Sequence, residues 1–374
     1  DGEQVNKTSI AESLPELWKA LLETGQMVAL SFLITLVFGT LVGVALRLHR
    51  FAVLVEHRVW RGAATITYPN ATAALLAMLT VVAVALLVSH PGSAWLAGAV
   101  YLNLVGLGAT VSRAGVLALL VGLAVLAVLA GVRTVLALVA PAALGALVAM
   151  GGLAPSLAAS GEPRPAVALG GLIAGAALLL GLRALRGRWW LPVLAVAGAV
   201  AGFAVWSQAS SPVLRQVLDS RWNLGSYGRS MGAGAAVDQI RQRPLTGVGV
   251  GQTWLFWQAP DGNAQAAQYA HDEYLQTVVD LGVVGAALLL CLVVVAAATV
   301  RRRWAVGPRS ALGAGAVAAL VAFAVHSGFD FLWHLAVLPL VAGVCLGLAV
   351  AGDPGPVPAI DPPTGATPDR REQS

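Results

Sequence analysis

Ten apolar runs divide the 374-residue chain, near residues 25–46, 72–88, 95–112, 114–131, 134–152, 166–183, 190–207, 275–299, 310–327 and 332–351. Each approaches the roughly 20 residues that a bilayer-crossing helix needs, so the pattern predicts about ten membrane helices. Glycine and alanine recur throughout, which permits close helix contact where apolar burial provides little drive. One long polar interval, residues 208–273, interrupts the series. Inside it, Gly232–Gln242 reads as a short amphipathic helix lying along the membrane surface. Pro244 stops that helix, since proline lacks the amide and clashes in a helix interior. The glycines at 247, 249 and 251 predict tight backbone at positive φ. His271 stands at the foot of the next run, and Gly282 and Gly285 lie one turn apart within it. The last stretch, 352–374, is rich in Pro, Asp and Arg and reads as a disordered tail.

Composition agrees with the pattern. Hydrophobic residues make up 58% of the chain and charged residues only 11%, with a mean hydropathy of +0.79. A soluble domain carries roughly 25% charged residues, so the expected class is an all-α, polytopic membrane protein. Five parts follow: an atypical tail and first helix (1–50), a helical block (51–207), an extracytoplasmic loop (208–273), a second helical block (274–351) and the cytoplasmic tail (352–374). The first 24 residues are polar and acidic, unlike a cleavable signal peptide. Cys291 and Cys345 lie in apolar runs and have the spacing of neither a disulfide framework nor a metal site. No basic stripe with interleaved aromatics occurs, which excludes nucleic acid as the expected partner.

Charge sets the orientation. Cytoplasmic loops collect arginine and lysine, which puts Arg301–Arg303 and the Arg183–Arg188 cluster inside. Counting spans from there places the 208–273 loop, Arg113 and the 328–331 turn together on the outer side. The same count puts Arg47, Arg50, Arg58 and Arg61 outside, against the rule. Either an interfacial amphipathic segment or a misplaced span would resolve that conflict.

The chemistry-bearing candidates cluster on the outer side. A neutral imidazole at His271 can accept a proton from an attacking hydroxyl, with Asp272 or Glu273 orienting it. The plainer reading is a capped helix start, because acidic residues are favoured near a helix N-terminus. Arg113 is an ionisable group beside hydrocarbon, which suggests function. Its guanidinium suits a diphosphate through paired hydrogen bonds, as does that of Arg229; a snorkelling arginine is the plain alternative. Arg215, Arg221, Arg241 and Arg243 read as solvated or headgroup contacts. The Gly247-x-Gly-x-Gly251 turn lacks the preceding strand and following lysine of a nucleotide loop. It reads instead as a tight turn near the membrane surface. Trp254 and Trp257 either stack on sugar or anchor at the interface. His326, Asp330 and His334 lie in one segment, but nothing in their spacing sets a metal geometry, so no metal is expected.

Four segments carry a resemblance: Tyr68-Pro-Asn-Ala-Thr-Ala-Ala74, Thr110-Val-Ser-Arg-Ala-Gly115, Pro244–Gly251 with His271-x-x-Tyr-Leu and Gly282-x-x-Gly285, and His326-Ser-Gly-Phe-Asp330 with Pro339. Over about residues 52–350 the chain resembles the O-antigen ligase and polymerase superfamily. The resemblance implies a metal- and cofactor-independent glycosyltransferase in the inner or plasma membrane. It would move glycan from an undecaprenyl-diphosphate carrier to a glycan, lipid or protein acceptor. His271 would be the base, Arg113 and Arg229 would hold the diphosphate, and Gly247, Gly249, Gly251, Asp272 and Tyr274 would line the substrate. The chain departs from the family in having Asp272 where asparagine is usual, Gly232 and Ala233 after Arg229, and four spans between Arg113 and the loop. Residues 14–46 resemble the opening helix of an amino-acid ABC-transporter permease instead, which implies an alternative role as a permease subunit or polyprenyl-lipid carrier. No Glu-Ala-Ala coupling loop follows them.

Overall fold

The computed structural model describes residues 10–55, 59–158, 162–185, 227–259, 262–306 and 310–351. Their order is α1 (Ile10–Ala45), β1 (Ala52–Val55), β2 (Val59–Gly62), α2 (Pro69–Ser89), α3 (Ala94–Ala109), α4 (Arg113–Ala130), α5 (Val132–Leu157), α6 (Pro165–Ala184), α7 (Tyr227–Gln242), β3 (Leu255–Gln258), β4 (Ala264–Ala267), α8 (Glu273–Val306), α9 (Ala311–Ser327) and α10 (Val337–Val350). Five of these, α2, α4, α5, α6 and α8, are long and apolar enough to cross a membrane. Residues 33–45, α3, α9 and α10 are shorter apolar helices. The expected span at 190–207, the segment 208–226 and the 352–374 tail lie outside the described residues.

The helix limits have local causes. Pro69 opens α2, where its missing amide costs nothing and its fixed φ suits the first turn. Ser93, Ser112 and Ser310 cap α3, α4 and α9, each hydroxyl accepting an amide three residues on. The α7 helix stops at Gln242, just ahead of Pro244. Nearly the whole of α2 is buried, and it forms the core with α3, α4 and α9 around it. Small residues make this contact close. A β-carbon on Gly115 would strike Ala73, one on Gly122 would strike Val81 and Ala322, and one on Gly315 would strike Ala85.

The described residues are mostly helical, as expected, with two short strand pairs besides. Ala52–Val55 pairs antiparallel with Val59–Gly62, in register Ala52–Gly62 to Val55–Val59, and Leu255–Gln258 pairs likewise with Ala264–Ala267. Two of the arginines that broke the charge rule, Arg47 ahead of β1 and Arg61 within β2, are held by backbone carbonyls. Arg47 donates to the carbonyls at the end of α5, Ser156 at 3.1 Å and Pro155 at 3.4 Å, as well as to Ala158. Arg61 donates to the Thr110 carbonyl at 2.7 Å. Their charge is engaged by protein dipoles, so it does not report sidedness. Arg58 lies outside the described residues.

The single helix expected over 275–299 is broken. Gly282, at φ 64 and ψ −160, separates two helical stretches of α8. The Pro244–Gly249 strand of chain runs against that break, with Val248 and Gly249 amides on the Val279 and Asp280 carbonyls (2.9 and 3.0 Å) and the Val283 amide on Pro244 (2.8 Å).

The helices share two ends. At one, Arg61 meets Thr110, Tyr68 meets Asp330, and Ser156 meets Ala45. At the other, Arg183 holds the carbonyls of Pro91 and Ser93 at 3.0 and 3.2 Å, and Trp304, beside Arg301–Arg303, donates to Ala349 at 3.2 Å. Arg183 and Arg301–Arg303 thus lie at the end away from Asp330.

Candidate functional site

After α9 the chain turns through Gly328, and Asp330 falls in the corner before the short 3-10 turn Leu332–His334. Its side chain is fully buried. A buried carboxylate is tolerated only when paired and hydrogen-bonded, and here both oxygens are. Tyr68 donates its hydroxyl to both at 2.7 Å, and the Asn70 amide group donates to Oδ2. The Phe331 amide reaches Oδ1 at 3.0 Å, and His271 Nδ1 reaches the same oxygen at 2.9 Å. Arg229 lies further out, its nearest nitrogen 3.9 Å from Oδ2, while it donates to the Phe329 carbonyl at 3.0 Å.

These partners fix the charge. Burial alone would raise the Asp330 carboxyl, but the His271 hydrogen bond and charge, the Tyr68 hydroxyl and the Asn70 amide together outweigh it and hold it down to about 2. Burial, and then the Asp330 charge, push the Tyr68 phenol far above its ordinary value, so it stays a donor. An ionised carboxylate only accepts. His271 Nδ1 therefore carries a proton, and in the neutral ring Nε2 is the nitrogen that keeps a lone pair. The His271 side chain is 36% exposed, so that lone pair can meet a ligand.

A polar scaffold stands behind the carboxylate. Asn70 Oδ1 accepts from Arg61 at 2.6 Å and from the Ser112 hydroxyl at 3.0 Å. Those contacts turn the amide so that its nitrogen faces Asp330. Ser112 also caps α4, so the start of α2, the α3–α4 junction and the α9–α10 turn are joined through one amide.

The structure brings some predicted residues together and not others. His271 and Arg229 converge on Asp330. Arg113 is exposed in the first turn of α4, next to Ser112. Asp272 does not orient His271; its Oδ1 accepts the Tyr274 and Leu275 amides at 2.9 and 3.0 Å, the plain cap of α8. Glu273 faces the Trp333 amide and His334. Tyr274 donates to the Ala324 carbonyl at 2.7 Å and packs edge-on against Trp333, bracing α8 on α9.

The glycines at 247, 249 and 251 all have positive φ, as expected (67, 104 and 73). Gly247, however, lies against the Asp280 backbone, and Gly282 against that of Leu245. Glycine at 247 thus serves contact between two stretches of this chain. Gly251 has open space around its α-carbon, and Gly249 has only the Gln252 side chain nearby. Trp254 is exposed and stacks on Phe256, whereas Trp257 packs on the small cluster of Ala236, Leu255, Ala270 and Val279. No group of three or more His, Cys, Asp or Glu side chains among the described residues is arranged to hold a metal ion.

Asp330, Tyr68, Asn70, Ser112 and Arg61 were not singled out for this role from sequence. A carboxylate in the turn between two apolar helices was the available signal, since such a charge persists only with partners. No protein-family model matches the chain, and no curated protein matches it.

Proposed function

We propose that this chain is a glycosyltransferase of the cytoplasmic (inner or plasma) membrane, with ten spans and its site on the outer face. The reading rests on one observation above the others: His271 is held through Nδ1 by a buried carboxylate, with its side chain part-exposed, at the meeting point of four separate polar segments. A chain built only to cross the bilayer has no need of that arrangement. Arg183 and Arg301–Arg303 at the opposite end support the orientation.

The reaction balances with the residues present. An acceptor hydroxyl, from glycan, lipid or protein, attacks the anomeric carbon of a glycan carried on polyprenyl diphosphate. His271 Nε2 takes the hydroxyl proton as the new C–O bond forms. The bond to the diphosphate breaks, and the leaving group departs with the electron pair. Arg229 and Arg113 supply fixed positive charge where negative charge grows. Asp330 stabilises the imidazolium that results. The chemistry calls for no metal or cofactor.

Purified protein in lipid nanodiscs, given lipid-linked glycan extracted from the producing cells, tests the proposal. A positioned base contributes typically 10²–10⁴-fold, so His271→Ala should lose at least about a hundredfold in transfer while still folding. Full activity in that variant would defeat the assignment. Vectorial movement of the lipid carrier without any glycan product would favour the carrier reading instead.

A further inference from the structure

A second imidazole is held on a buried carboxylate at the same end of the molecule. Glu273 opens α8 with its side chain only 2% exposed, and His334 Nδ1 lies 3.4 Å from its Oε1. The same oxygen accepts the Trp333 amide, while the Trp333 indole donates to Ser327 at 2.9 Å. His334 itself reaches outward, its side chain 28% exposed. Its ring leans on Tyr269 with centroids 4.3 Å apart. Tyr269 stacks on Phe331 at 5.0 Å, and Phe331 meets the His271 ring at 5.3 Å.

Two imidazoles therefore stand at either end of one run of rings. Each turns Nδ1 onto a buried carboxylate and leaves Nε2 without a hydrogen bond to any described residue. The Trp333 amide by itself ties α8 to the 3-10 turn. His334 adds a directed polar atom that faces out of the fold beside an aromatic ring.

We propose that His334, with the ring of Tyr269, contacts the acceptor glycan, its Nε2 accepting a hydroxyl of that glycan away from the one that His271 deprotonates. The inference depends on the glycosyltransferase reading above. No bond is made or broken at His334. Its contribution is therefore to binding, which appears in the acceptor KM and leaves kcat unchanged.

The test uses the full chain in nanodiscs, with the extracted lipid-linked glycan as donor. Oligosaccharide released from that same material by mild acid serves as the acceptor probe. His334→Phe keeps a ring against Tyr269 and deletes the nitrogen. It should raise the acceptor KM by roughly three- to tenfold, the effect of one net hydrogen bond, with kcat within about twofold of wild type and donor KM unchanged. His334→Gln should recover part of the loss. An unmoved acceptor KM in an active protein overturns the subsite and leaves the glycosyltransferase reading standing. A fall confined to kcat also overturns it. Wild-type protein that transfers no glycan defeats both.

Discussion

Replacing Asp330 by asparagine separates charge from shape at the centre of the site. The side chain keeps its size, but one of its two acceptor oxygens becomes a donor. If the new nitrogen occupies the Oδ2 position, it faces Tyr68 and Asn70; in the Oδ1 position it faces His271 and the Phe331 amide. Either way a donor meets at least one group that donates in the native site, Asn70 or the Phe331 amide. Asn70 cannot flip in response without losing Arg61 and Ser112 at 2.6 and 3.0 Å. The less disruptive solution rotates the amide toward His271 and moves its proton to Nε2, which removes the lone pair proposed above to take the acceptor proton. Transfer should then fall by about 10²–10³, within the range that a positioned base contributes. One buried amide left facing a donor should also lower stability, by about 2 kcal/mol. Glycan transfer in nanodiscs measures the first effect, and a thermal melt in the same preparation measures the second. Full kcat together with an unchanged melting temperature would refute the account of Asp330 as the group that sets the His271 tautomer.

Three further outcomes follow from the same geometry. Asp330 ionises near 2 when folded, against an ordinary 3.8. A depressed carboxyl stabilises the fold above its unfolded value, and that contribution is lost as pH falls from about 4 to about 2. It amounts to about 2 kcal/mol, so wild type and Asp330→Asn should converge in stability by about that much as pH falls from 6 to 2; a constant gap would count against it. Gly282→Ala drives a β-carbon into the Leu245 backbone at φ 64, whereas Gly251→Ala meets open space at φ 73. The first should cost more than about 3 kcal/mol and the second about 1–2 kcal/mol by denaturant melts, and equal costs would show that the break in α8 is not a packing contact. Cys291 is exposed on the apolar part of α8, so a membrane-impermeant maleimide should leave it unmodified in intact membranes while labelling Val250→Cys from outside. Labelling of Cys291 would contradict that placement of α8.

Much of the outline was readable from the chain itself. Nine of the ten apolar runs correspond to helices, and 190–207 lies outside the described residues. Burial in a bilayer demands long apolar stretches with every backbone group bonded internally, so pattern alone suffices there. Arg183 at Pro91 and Arg61 at Thr110 lie at opposite ends of the described helices. Positive φ at 247, 249 and 251 was legible because glycine is the residue that adopts it readily. The β1–β2 pairing was not, since short apolar pieces such as Ala52–Val55 do not distinguish strand from helix by period. The break at Gly282 also escaped, because its cause lies 37 residues away in Leu245.

The candidate site divides in the same way. His271 could be picked out by residue type and position, and so could the guanidinium groups, because an ionisable group in so apolar a chain has few neutral explanations. Which carboxylate serves His271 could not. Asp272 and Glu273 are adjacent to it in the chain, yet the backbone aims one into a helix cap and the other at Trp333, while Asp330 arrives from 59 residues further on. Residue chemistry and hydrophobic period are local properties, so the sequence by itself determined the apolar helices and made His271 a candidate. Partnership around a buried charge depends on which helix ends meet. That was decided only when the starts of α2, α4 and α8 closed around the α9–α10 turn and left the Asp330 carboxylate to be satisfied by the donors within its reach.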